Sequence, residues 1–314
     1  MVPFLKQVAS HYYRKPYGRD LCFIFPNRRS MVFFRKYLSE TVSENSDVPV
    51  RAPEMFTIND FFQKVHGGRC ADRVTLLLEL YACYKALNPK AESLDEFIFW
   101  GDIILGDFND VDKYLADPSM LYANVADFKA MQDTFGYLSD TQRTAIENFV
   151  RHFNDRSGKL TVDIGSENPN VKERFLQIWN ILYPLYRDFR KSLEERGLAY
   201  EGMIYRGLAD RLREEPVTDI LDSVFHKQYG YVFVGLNALN ECEKVLMRRM
   251  RDSGTAEFCW DYSGDMIQDS RNKSSFFMAG NVKEFPQSFI PDPDGVGLPS
   301  FKVVSVPSSI GQVK

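Results

Sequence analysis

The sequence predicts an α/β fold: a parallel-sheet core assembled from both ends of the chain, with a large all-helical insertion between them. Three observations carry this expectation. Short apolar runs at 21–25 and 55–58 are each followed by residues at helical spacing. A stronger run, Tyr231-Val232-Phe233-Val234-Gly235, returns towards the other end and again leads into a helical pattern. Between them, from 72 to about 214, nearly all the periodicity is helical. Strands alternating with helices imply βαβ units, because parallel neighbours need a crossover connection. The expected division is a core of residues 1–66 and 216–314 around an insertion of residues 67–215.

Phe4, Leu5, Val8, Ala9 and Tyr12 recur at helical spacing and open the chain with an amphipathic helix. Leu21-Cys22-Phe23-Ile24-Phe25, closed by Pro26, reads as a buried strand. Asn27 or Ser30 can cap the next helix, which carries Met31, Phe33, Phe34, Tyr37 and Leu38. Met55 to Ile58 forms a second strand, followed by a helix capped at Thr57 or Asn59 and ended by Gly67-Gly68. In the helical stretch, Val74, Leu77, Leu78, Tyr81 and Tyr84 make one expected seam, and Phe97, Trp100, Ile104 and Phe108 another. Leu160 to Ile164 is the one strand-like run there. A long helix follows through Phe189 to a stop near Gly197, with a kink expected at Pro184. After the strand at 231–235, Glu241 to Arg251 reads as a helix with Val245, Leu246 and Met250 inward, and Ala256 to Trp260 and Phe301 to Val306 are further β-rich runs.

With 314 residues, 44 % hydrophobic and 26 % charged, the chain is a folded domain and neither a disordered tail nor a fibre. No apolar run reaches a membrane span, and the N-terminus lacks a leader pattern, so the expectation is a cytoplasmic protein with no membrane partner. Five scattered cysteines without a CxxC pair argue against disulfides and zinc. The net charge of −4 is unevenly spread. Residues 1–60 hold nine basic and six acidic side chains, whereas 92–140 holds eleven carboxylates against Lys113 and Lys129. That acidic stretch repels phosphate, so any nucleic acid binds elsewhere. The final residues, through Lys314, look like the start of another helix and suggest a piece of a longer protein.

No catalytic constellation and no metal site is read. A P-loop needs glycine amides and a lysine on the phosphates, but the turn after the first strand is Pro26-Asn27-Arg28-Arg29-Ser30, and the only Gly-Lys pair, Gly158-Lys159, lies mid-chain. The strand at 231–235 ends in Gly235-Leu236-Asn237 where acidic residues would handle Mg²⁺ and water. Arg28 and Arg29, at a strand-to-helix junction, either hold a phosphate of single-stranded DNA with help from backbone amides or form a solvated first turn. Asp107, Asn109, Asp110 and Asp112 lack the glycine of a calcium loop and read as an exposed acidic helix face. His66 and Cys70 are four apart, but Gly67-Gly68 breaks the helix between them and they make no metal site; Asp127-Phe128-Lys129 falls in a helical pattern unlike a nuclease strand edge.

Several segments together resemble a known family: Pro3-Phe4-Leu5-Lys6, Phe25-Pro26-Asn27-Arg28-Arg29, Phe56-Thr57-Ile58-Asn59-Asp60-Phe61-Phe62, Tyr231 to Lys244, and Phe258-Cys259-Trp260-Asp261-Tyr262. In this order they resemble the N-terminal region of AddB/RexB-type subunits of bacterial helicase-nuclease complexes, especially long PD-(D/E)XK nuclease superfamily proteins of Bacteroidetes. The resemblance implies a RecA-like core carrying a helical insertion, a motor that has lost ATP hydrolysis, and a role in processing double-strand breaks for recombinational repair. It implies a PD-(D/E)XK exonuclease and often an iron-sulfur cluster downstream, with no cofactor in this part. The implied partners are DNA, as single strand or duplex end, and a motor subunit of AddA-like type. Asn27, Arg28, Arg29, Arg14 and Lys15 are the expected DNA contacts. The alternative expectation is a protein-interaction scaffold that never touches DNA.

Overall fold

The computed structural model describes residues 2–15, 20–46, 51–89, 91–126, 169–225, 230–262, 264–269, 271–289 and 305. Its centre is a four-stranded, all-parallel sheet. The strands are β1 (Leu21–Phe25), β2 (Glu54–Thr57), β5 (Gly230–Val234) and β6 (Ala256–Cys259), in the order β2-β1-β5-β6. Cys22 lies beside Tyr231 and Ile24 beside Phe233, so strands from either side of the helical stretch are direct neighbours. Every residue of β1 is buried, as expected of a strand covered on both faces.

Alternation of side chains builds two cores. Leu21, Phe23, Phe25, Val232, Val234 and Cys259 face helices α1 (Phe4–Tyr13) and α2 (Arg28–Asn45), meeting Val8, Ala9, Tyr12 and Phe34. Cys22, Ile24, Tyr231, Phe233 and Phe258 face the other way, against α3 (Ile58–His66) and α10 (Glu241–Asp252). The result is helix, sheet, helix in three layers. Local signals set the helix ends. Asn27 accepts from the Ser30 amide at 2.9 Å, Thr57 from the Asp60 amide at 3.1 Å, and Asn240 and Glu243 form a reciprocal capping box. Gly67, with φ of 77°, closes α3 in the left-handed region.

The second core runs without interruption into the helical stretch. That stretch holds α4 (Arg73–Leu87), α5 (Leu94–Lys113), α6 (Pro118–Ala126), α7 (Pro169–Glu195), α8 (Glu201–Glu214) and α9 (Val217–Val224). α7 continues through Pro184. Two short strands, β3 (Arg69–Cys70) and β4 (Leu198–Ala199), pair in parallel; the sequence does not announce them, because two residues carry no periodicity. α8 lies against the backbone of α5: the Gly202 amide donates to Asn109 Oδ1 at 2.7 Å, and a Cβ on Gly202 would stand 2.6 Å from the Asn109 carbonyl oxygen. Beyond β6 lie α11 (Gly264–Gln268), a 3₁₀ turn (Lys273–Ser275) and α12 (Phe276–Glu284). Among the described residues no helix is long and apolar enough to cross a membrane. All five cysteines are free thiols.

Two expectations are corrected. The buried seam of α4 is Leu76, Leu77, Leu80 and Tyr84, whereas Val74 and Leu78 are exposed. The sequence of α4 is apolar nearly all round, so periodicity alone does not choose its face. The acidic run of α5 is not simply an exposed face: Asp112 is fully buried, and a buried Asp107 carboxylate oxygen and the buried Tyr122 hydroxyl have no hydrogen-bond partner among the described residues. Burial, with the Asp110 carboxylate adding to it, pushes the Asp107 carboxyl from 3.8 up to about 7. Its folded value lies above its unfolded value. The folded chain therefore holds a proton that the unfolded chain has released, and this group lowers stability as pH rises from about 4 to about 7. Asp107→Asn should gain on the order of 1–3 kcal/mol over the native chain at pH 8 and almost nothing at about pH 3, below both values. Urea unfolding of both proteins at the two pH values measures this, and an equal effect at both would refute it.

Candidate nucleic-acid interface

The switch point of this sheet, where ligands of open α/β folds settle, lies at the carboxyl ends of β1 and β5, because the chain leaves β1 towards β2 on one side while β5 and β6 lie on the other. Gly235 closes β5 with φ of 68° and its amide on the Cys259 carbonyl at 2.9 Å. The Phe4 ring packs there, 3.6 Å from where a Gly235 Cβ would stand. Glu243, just beyond, is buried and accepts from the Asn240 amide at 3.0 Å. Burial raises its carboxyl to about 6. It serves the helix cap. The Asn27 side chain likewise caps α2 through the Ser30 amide and hydroxyl.

Past Asn27 the chemistry changes. Arg28, Arg29, Arg35 and Lys36 are all exposed on α2, and Val32 and Phe33 stand among them 59 % and 40 % exposed. Arg29, Val32 and Lys36 occupy the helix face opposite buried Phe34, spaced three and four residues apart. Phe33 leans on Tyr37, with ring centroids 6.3 Å apart. Among the described residues Arg28, Arg29 and Arg35 have no ion-pair partner, while Lys36 reaches Glu40 only at 3.9 Å and Glu40 also faces Lys6. Two arginines in a first turn with no acid work against the helix dipole, so the site has surplus positive charge at the end already positive. This surface presents cations with an exposed ring between them, an arrangement chemically able to take phosphates.

The sequence-predicted residues do not form one surface. Asn27, Arg28 and Arg29 stand together at the carboxyl end of β1. α1 runs from Phe4 at Gly235 to Tyr12, whose hydroxyl donates to Glu257 of β6 at 2.7 Å, and Lys15 pairs with the same carboxylate at 2.9 Å above the Tyr12 ring. Arg14, exposed, and Lys15 thus lie towards the opposite end of the sheet from Arg28. Val32, Phe33, Arg35 and Lys36 join the site from the structure, not from any motif. A signal for them exists in the sequence: a helix whose core stripe is Phe34, Met31 and Leu38 leaves Phe33 and Val32 on the outside, beside the basic residues. His66 accepts from the Gly68 amide at 3.2 Å, and burial holds its imidazole below the usual range. No cluster of three metal-ligating side chains occurs among the described residues. Asp127 to Lys129, Gly158-Lys159, Leu160 to Ile164 and, apart from Ser305, Phe301 to Val306 lie outside the described residues. No protein-family model matches the chain, and no curated protein matches it.

Proposed function

We propose that this chain is a helicase-like, RecA-type α/β domain that binds DNA without hydrolysing ATP, the helical stretch being an insertion in it. The proposed setting is a subunit of AddB/RexB type in a double-strand-break processing complex, with an AddA-like motor as partner, a nuclease elsewhere in the protein and no cofactor in this part. The observation that carries the DNA reading is the trio Arg28, Arg29 and Arg35 on α2, without ion-pair partners among the described residues, around exposed Phe33. The absence of a P-loop from the sequence and the packing of Phe4 on Gly235 at the switch point support the loss of ATP chemistry.

Arginine forks bind phosphate oxygens through paired hydrogen bonds, and each phosphate neutralised releases a counterion. Binding of a labelled oligonucleotide, followed by fluorescence anisotropy across a salt series, should weaken linearly on logarithmic axes. Arg28→Ala with Arg29→Ala should flatten that slope by about 1.4 for a single strand. A native chain with no affinity at low salt, or an unchanged slope in the variant, overturns the reading. A scaffold role is the second reading, favoured by Val74, Leu78, Phe99 and Met120, which leave large apolar surfaces exposed on α4 to α6. Capture of a motor subunit that persists in the arginine variant while DNA affinity is absent from both proteins would favour it.

A further inference from the structure

We infer that the nucleic acid is single-stranded and crosses the carboxyl edge of the sheet to a second contact, where Phe276 and Phe277 stack its bases and Lys273 meets a phosphate. This rests on the reading of α2 as a DNA contact. Phe276 and Phe277 are 72 % and 53 % exposed, the first of them the most exposed large apolar side chain described, and their rings meet edge to face at 5.5 Å. They are held from beneath: Met278 is buried, and Asn281 Nδ2 donates to the Asn237 carbonyl at 2.5 Å, in the loop that leaves β5. The pair therefore stands at the same end of the sheet as Arg28 and Arg29. Two strand spacings, about 10 Å, separate β1 from β6.

The charges beside the rings suit an anion. Lys273 is exposed and has no ion-pair partner among the described residues, whereas Asp269 is bound to Arg271 at 3.1 Å and Glu284 is bound to Arg248. A cleft of about 570 Å³ opens there, lined by Leu239, Ile267, Lys273, Phe276, Phe277 and Asn281. An exposed ring gains from a base only when that base is free to leave its neighbours. A duplex keeps its bases stacked inside and offers phosphates alone, so aromatic side chains at both ends of the path select unpaired bases.

The test compares an oligothymidine of about 20 nucleotides, one of about 6, and a blunt duplex against the native chain. Phe276→Ala with Phe277→Ala should cost the long strand about tenfold in affinity and leave the duplex unchanged. Both side chains are exposed, so this variant should keep the native unfolding midpoint. Phe276→Trp should restore the affinity, and the long strand should quench its fluorescence. The Arg28, Arg29 variant should weaken all three ligands. Native affinity of the alanine variant for the long strand, or tighter binding of duplex than of single strand by the native chain, overturns the inference while leaving the α2 reading intact. Failure of the native chain to bind any of the three overturns both.

Discussion

Replacing Asp112 by alanine should lower stability by about 3–5 kcal/mol, because it takes the close, buried counter-charge from two part-buried arginines. Asp112 is fully buried and receives four donors: the Tyr186 hydroxyl at 2.5 Å, Arg190 Nη1 at 2.7 Å, Arg206 Nε at 2.6 Å and the Tyr200 hydroxyl. Its backbone carbonyl also takes the Cys242 thiol of α10 at 3.4 Å. Arg206 further donates to the Val111 and Ala116 carbonyls, at 2.8 and 2.7 Å, and so holds the end of α5 to α8. One carboxylate thus ties α5, α7 and α8 together. Truncating it strands the Arg206 guanidinium, leaves Arg190 with only Glu194 at 3.9 Å, and removes the acceptor of two buried phenols, each with its own desolvation cost. Urea unfolding should show the midpoint fall with little change in slope. A loss under about 1 kcal/mol would mean that solvent reaches the arginines and that this network does not hold the helices.

Phe62→Ala should cost a similar ~3–5 kcal/mol, through lost transfer energy and the cavity left behind. Phe62 has no exposure, and its ring stacks on Tyr205 of α8 at 3.9 Å with the planes 2° apart. The Tyr205 hydroxyl donates to Asn59 Oδ1 on α3. This contact joins the layer under the sheet to the helical stretch, and filling the space requires both helices to shift. Phe62→Leu keeps most of the volume and should cost less than half as much. Equal losses for the two variants would show that the ring geometry, and not the cavity, sets the stability.

These two residues differ in legibility. Phe62 sits in a helical apolar pattern, and the pattern alone marks it as core. Asp112 sits among Asp107, Asn109 and Asp110, where an acidic run ordinarily means a solvated face. What reverses that expectation is the arrival of Arg190 and Arg206 from positions 78 and 94 residues away. The candidate interface divides in the same way. Arg28 and Arg29 are legible from their place after an apolar strand, and the Asn27 cap from its residue type. That Lys15 is paired with Glu257, and that Phe276 and Phe277 share a sheet edge with Arg28, follow from pairings across more than 200 residues.

Strands β1, β2, β5 and β6, the starts of α2 and α3 at a polar cap, the stop at Gly67 and the inward stripe of α10 are written in the order of the amino acids, because each is dictated by side chains within one or two turns of the same backbone. Packing is what chooses the buried face of the uniformly apolar α4, the surroundings of the α5 carboxylates, the β3–β4 pair, and which basic residues keep their charge free. Burial and charge pairing depend on groups far apart in the chain, and those meet only once the layers have come together.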